Sequence, residues 1–229
     1  MSRRFEDLIS AAVAIPSTKV RTYVDSVRAK DPDATPEQVL ATLHKCYLLA
    51  VSTSGGAVGA VAAVPALGTG AALALTSGQV ATFLTASGGL ALATADVHGI
   101  AVDDIPRRRA VLLTALLGPR GPELLEQEIG ISTMAWGRTL MTRVPLGTVK
   151  AVNRTLRRRA VASSTAKARS IMVGRLLPFG VGAAVGYSGG RLMGKSMIRA
   201  VGGAFGPVPE EFMRRIGTDA VASVEATPR

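Results

Sequence analysis

Residues 182–194 read GAAVGYSGGRLMG, in which a glycine returns at every fourth position. Because an α-helix turns once in 3.6 residues, these glycines form one row on the helix surface. The row has no side chains, so a second helix backbone can approach it closely, as at overlapping GxxxG motifs. We therefore predict helix packing at the four glycines of this row, Gly182, Gly186, Gly190 and Gly194.

The composition of the rest of the chain agrees with close helix packing. Hydrophobic residues make up 48% of the 229 residues, but only 4% are aromatic. Residues 46–95 contain no charged side chain. This stretch is long enough to insert into a bilayer as a hairpin, although Ala and Gly contribute little to insertion, so we favour a buried core. We predict an all-α fold, a compact multi-helix bundle with Gly/Ala-rich central helices.

The domain organisation follows from the helix-breaking residues. Asp31-Pro32-Asp33 separates two short amphipathic helices from the remainder, and Pro207 and Pro209 close the folded part. We predict N-terminal helices over 1–34, a helical domain over 35–215 and a C-terminal tail over 216–229.

Helix boundaries within the main domain have local signals. Thr35 followed by Gln38 has the spacing of a capping box at a helix N-terminus. Asp104 precedes an Ile-Pro pair and is placed to cap another helix. A further helix is predicted to pass Trp136 and to end before Pro145.

Charge is distributed unevenly along the chain, whose net charge is +11. No Asp or Glu occurs from Ile129 to Pro209, a stretch that contains 13 of the 27 Lys and Arg residues. Within it, residues 147–171 have the pattern of a basic amphipathic helix, with apolar residues on the face opposite the cations. Such a helix indicates an anionic partner or an ordinary solvated surface. The predicted contact residues are Lys150, Arg154, Arg157, Arg158 and Arg159.

Two features indicate the compartment. Cys46 is the only cysteine, which excludes an intrachain disulfide and suits a reducing environment. Glu6 and Asp7 interrupt the N-terminus ahead of a short apolar run without a clear cleavage site, so we expect no secretion signal. We expect a cytoplasmic protein associated with the inner face of the cell membrane.

One polar cluster follows the apolar block, and its members are Asp96, His98, Asp103 and Asp104. A metal or acid–base site there would need a further ligand or a nucleophile. Helix capping and turn formation explain the same residues. We therefore predict no metal and no cofactor.

Two catalytic patterns match by letter inside the glycine row. Residues 186–190 fit the Gly-x-Ser-x-Gly elbow, which makes Ser188 a nucleophile candidate, and residues 189–196 fit a phosphate loop. Both motifs need a strand before them, whereas the preceding sequence continues the helical glycine spacing. The elbow's usual order also needs a His downstream, and none follows His98. Helix packing is the favoured interpretation.

Four blocks of sequence between Leu75 and Phe212 resemble the EcsC protein family when they are taken in order. The blocks are residues 79–99, which end Asp-Val-His-Gly; residues 102–118, which contain Arg107-Arg108-Arg109; residues 144–153, which begin Val-Pro-Leu-Gly; and residues 177–212, which contain Pro178-Phe179-Gly180 and Phe205-Gly206-Pro207.

The resemblance implies an all-helical, membrane-associated bacterial protein, of a family named from an operon that encodes an ABC transporter. It implies no catalytic residues and no ligand. His98 stands where the family usually has an aromatic residue.

Three functions follow from these observations. The leading one is a non-catalytic membrane-associated protein, a transport accessory in one version, that contacts anionic lipid headgroups or a membrane protein. The second is a soluble helical module that binds an apolar ligand such as lipid between its Gly/Ala helices. The third is an enzyme, either a serine hydrolase at Ser188 or a metal-dependent enzyme at Asp96, His98 and Asp104. Nucleic-acid binding is disfavoured because base-stacking aromatics are few, and self-association through the glycine row is left open.

Overall fold

The computed structural model describes residues 2–62, 69–174 and 181–213, with side-chain detail for 5–58, 78–163, 184 and 186–213. These residues form nine α-helices and no strand, which confirms the predicted all-α fold. The predicted tail over 216–229 lies outside the described residues. The helices are α1 Ser2–Val13, α2 Ser17–Arg28, α3 Pro36–Ala62, α4 Thr69–Val97, α5 Ile105–Leu116, α6 Arg120–Ile129, α7 Trp136–Thr142, α8 Leu146–Gly174 and α9 Val181–Phe205.

Two helix starts have the predicted caps. At α3 the Thr35 amide donates to Gln38 Oε1 at 2.8 Å and the Gln38 amide donates to Thr35 Oγ1, which forms the reciprocal capping box. At α5 the Asp104 carboxylate accepts from the Arg107 amide at 3.1 Å. The single helix predicted through Trp136 is wrong, because Gly130 adopts a left-handed conformation (φ 67°) and ends α6 before α7 begins.

Helices α3 and α9 pack antiparallel with their backbones in close contact. A Cβ placed on Gly186 would fall on the carbonyl oxygen of Gly55, and one placed on Gly55 would fall on that of Gly186. Gly55 also lies against Gln79 of α4, so three helices meet at this point. Gly182 belongs to α9, but its surroundings lie outside the described side chains. From Gly186 onward the row follows α3, with Gly190 on Val51 and Gly194 on Leu48.

Helix α4 supplies the centre of the bundle. Every residue from Leu90 to His98 is buried, and α1, α2, α3, α5 and α9 all pack against this helix. Among the described helices it alone is long and apolar enough to cross a bilayer, over Gly78–Val97. However, 61% of its apolar window is buried inside the protein, and a core helix satisfies the same criterion.

The N-terminal helices contribute to the same core as the rest of the chain. Ile9 and Val13 of α1 and Val20 and Val24 of α2 are buried in one continuous apolar cluster with α4 and α5. Helices α5 and α6 in turn pack against α8.

The glycines of α9 allow a test of the close helix contact. Gly190→Ala should lower the free energy of unfolding by about 1–3 kcal/mol, because the new Cβ would lie 2.7 Å from the Val51 carbonyl oxygen. Gly189→Ala is the matched control, since a Cβ there meets nothing within 4 Å. Because alanine favours a helix more than glycine does, Gly189→Ala should raise the free energy of unfolding by about 0.5–1 kcal/mol. Urea unfolding measures both variants. Equal effects of the two substitutions would contradict this packing.

Candidate functional site: the basic face of α8

Helix α8 has one buried and one exposed face. Its apolar side chains are buried against the bundle, with exposures of 0–3% for Val149, Val152, Leu156 and Ala160. Lys150, Arg154 and Arg158 lie on the opposite face and are exposed, and Arg159 is exposed at the border of the buried face. We call these four exposed cations the basic face.

Arg157 does not belong to the basic face. Its Nη1 donates to Glu6 Oε1 of α1 at 3.0 Å, and its side chain is only 43% exposed. The members of the basic face form no ion pair with the acidic side chains in the described part of the chain. Arg157 therefore links α8 to α1, and four cations are left for an external anion.

A second row of exposed cations lies on α9 and was not singled out from the sequence. Arg191, Lys195 and Arg199 are spaced by four residues and all point to solvent. Their spacing of four residues in the sequence indicates a basic row, but the sequence analysis of this helix considered only the row of glycines. This row has the same geometry as Lys150, Arg154 and Arg158 on α8.

The predicted polar cluster is engaged in helix packing. Arg21 of α2 lies 3.8 Å from Asp96 and 3.8 Å from Asp103, and so ties α2 to the end of α4. Asp104 caps α5 and also lies 3.5 Å from Arg107 Nε. Within the described residues, no three His, Cys, Asp or Glu side chains are grouped so that they could hold a metal ion.

His98 is buried apart from these carboxylates. Its ring contacts Phe205 with a centroid distance of 5.7 Å, and its Nδ1 lies 2.8 Å from the Thr94 carbonyl oxygen. Its Nε2 is buried and has no hydrogen-bond partner among the described residues. The ring therefore packs on an aromatic side chain and makes one polar contact, to the backbone of its own turn.

The Arg107–Arg109 triplet joins distant parts of the chain. Arg108 is buried, and its guanidinium donates to the carbonyl oxygens of Val102, Val13 and Ile15. The last two lie at the end of α1, where helix carbonyls lack partners within the helix. Burial lowers the pKa of Arg108, and the nearby Asp103 and Asp104 oppose that shift.

Ser188 lies in the middle of α9. Its hydroxyl is exposed and donates to the Ala184 carbonyl oxygen at 2.8 Å, one turn earlier in the same helix. The phosphate-loop pattern over residues 189–196 is likewise helical throughout. Neither motif therefore has the turn that its chemistry needs at these residues.

A cleft lies between α2, α3 and α4. The second sequence hypothesis placed an apolar ligand between Gly/Ala helices, but the sequence did not indicate this position. The volume of the cleft is about 300 Å³, and Lys19, Tyr23 and Cys46 are the exposed polar residues along it. Sequence reasoning missed it because the cleft exists only where three helices that were interpreted separately come together.

No protein-family model, curated protein or solved structure matches this chain. The resemblance to the EcsC family therefore stays a prediction.

Arg108 offers a test of how α1 is held. Arg108→Lys should lower the free energy of unfolding by about 2–3 kcal/mol, because an ammonium group cannot reach three carbonyl oxygens in a planar arrangement. Amide exchange should accelerate in α1 more than in α8. Arg109→Lys is the adjacent control: the one hydrogen bond of its side chain goes to Ser10 Oγ, and we expect a loss below about 1 kcal/mol. An unchanged amide exchange rate in α1 of Arg108→Lys would refute the role of Arg108 in holding α1.

His98 can be tested by substitutions of different size. His98→Ala should cost about 3 kcal/mol by leaving a cavity beside Phe205. His98→Phe should stay within about 1 kcal/mol of the wild type, because it removes a buried nitrogen that has no described partner. Urea unfolding measures both. A large loss with Phe would show that the imidazole nitrogens are needed for stability.

Proposed function

We propose that this protein is a non-catalytic peripheral membrane protein that binds anionic lipid headgroups through the basic face of α8. The observation that supports this proposal is the set of four exposed cations on one helix, unpaired within the described residues. An exposed cation can stay hydrated and still be attracted to a negative lipid surface, by about 1 kcal/mol for each Lys or Arg.

The mode of binding is electrostatic in this proposal. An interfacial helix usually inserts its apolar face between lipid chains. In α8 that face is already buried in the bundle, through residues such as Val149 and Leu156. Membrane binding should therefore be reversible and should weaken steeply with salt, because the Debye length shortens from about 10 Å at 0.1 M to about 3 Å at 1 M.

The cellular setting is proposed on the same grounds. The cytoplasmic leaflet carries a negative surface potential that attracts basic segments. The resemblance to the EcsC family favours the same location, with a transport accessory as one version of the function. A membrane protein with an acidic surface would fit the same cations and is an alternative outcome of the test.

Charge reversal on α8 tests the proposal. In Lys150→Glu/Arg154→Glu/Arg158→Glu, the loss of three headgroup contacts alone should weaken partition onto vesicles of phosphatidylglycerol and phosphatidylcholine by at least roughly a hundredfold. The measurement is sedimentation with sucrose-loaded vesicles at 0.1 M salt, and 1 M salt should release the wild type. Circular dichroism melting checks that the variant is folded.

The cations of α9 provide the matched control. Arg191→Glu/Lys195→Glu/Arg199→Glu changes the net charge by the same amount, from +11 to +5, on a second row of identical spacing. This variant should keep most of its vesicle binding. An equal loss of vesicle binding in both variants would show that net charge, and not the basic face, decides binding. Failure of the wild-type protein to bind anionic vesicles would refute headgroup binding. Binding to native membranes but not to pure lipid would point to a membrane protein.

A further inference from the structure

The cleft between α2, α3 and α4 has apolar walls. Its sides come from Ile15 and Val20 near α2, Leu43 of α3 and Leu90 of α4. With a volume of about 300 Å³, it lies at the lower end of the range for small-molecule pockets. A site of this shape and lining suits one slender apolar chain.

Small residues keep the cleft open. Ala50 contributes from α3, and Ala86, Gly89 and Ala93 contribute from α4 at helical spacing. A Cβ on Gly89 would meet only the Ile15 Cδ1 atom, at 4.0 Å, whereas one on the neighbouring Gly88 would lie 2.6 Å from a backbone oxygen of α1. Gly88 is therefore required by a helix contact, while Gly89 faces space that no described side chain fills.

Among the described residues that line the cleft, Lys19 is the one charged group. It is exposed at the mouth, and none of these described residues is acidic. Tyr23 of α2 and Cys46 of α3 both line the cleft; burial is the main cause that raises the pKa of Tyr23, and Cys46 acts in the same direction. Burial also raises the pKa of Tyr47 to about 12, and its phenol is bonded to Ser87, so this wall stays neutral.

We propose that the cleft binds a single medium-length fatty acid, with the alkyl chain between α2, α3 and α4 and the carboxylate at Lys19. Apolar walls select the chain, because its transfer from water is favourable in proportion to the buried area. A lone ammonium group at an exposed mouth, with no acid beside it, selects an anionic head. This site is separate from the basic face of α8.

Cys46 provides a direct readout of occupancy. It is the only cysteine in the chain, it is exposed and it lines the cleft. Dodecanoate, kept below its micelle concentration, should slow the alkylation of Cys46 by iodoacetamide at least fivefold at saturation. Mass spectrometry of the intact protein follows the reaction, and calorimetry gives the affinity independently.

Two variants and one control test where the alkyl chain of the ligand binds. Ala50→Phe should fill the cleft and abolish protection of Cys46 by dodecanoate. Ala86→Phe should do the same from α4, so the test does not depend on one variant folding. Ala41→Phe makes the same change at an exposed position of α3 that does not line the cleft, and it should leave protection intact.

Lys19 tests the recognition of the head. Lys19→Glu should weaken dodecanoate binding about fivefold, as expected for loss and reversal of one exposed ion pair, and should leave dodecanol binding unchanged. Equal effects on both ligands would overturn the role of Lys19. Dodecanoate binding that leaves Cys46 unprotected, or that persists in Ala50→Phe and Ala86→Phe, would overturn the site itself. Vesicle binding should be the same in Ala50→Phe as in the wild type.

Discussion

The close approach of α3 and α9 at Gly55 and Gly186 is the contact on which the rest of the bundle depends. Two backbones can meet at this distance only where both residues lack a Cβ. Gln79 of α4 reaches the same point, so the contact also sets the position of the central helix. Once α4 is held there, its length from Leu90 to His98 is enclosed, and α1, α2 and α5 complete the cover.

The same packing decides what is left for function. Over its described side chains, residues 146–163, helix α8 places Val149 and Leu156 in the core, so this apolar face is not available to lipid chains. Its cations remain outside, and what they can do is electrostatic. Helix α2, by contrast, covers α3 and α4 incompletely, because small residues such as Ala50 and Gly89 leave a gap that larger ones would close.

Local features were predictable from the sequence, and long-range ones were not. The capping box at Thr35 and the cap at Asp104 depend on residues three apart, so spacing alone identified them. The pairing of Arg157 with Glu6 spans 151 residues, and the bonds from Arg108 to the end of α1 span more than 90. The periodicity placed Arg157 on the polar face of α8, but only the fold shows that α1 supplies its partner. The position of the cleft was missed for the same reason.

The distribution of acidic residues explains why the basic face stays unpaired. The acids whose partners are described lie in or near the N-terminal helices, the end of α4 and the start of α5. Glu6 pairs with Arg157, Asp25 with Arg28, Asp96 and Asp103 with Arg21, and Asp104 with Arg107. The chain has 16 acids for 27 Lys and Arg residues, and none between Ile129 and Pro209. The charges of α8 and α9 therefore cannot be neutralised by nearby sequence. The exposed cations of these helices therefore create a positive surface potential that attracts anions.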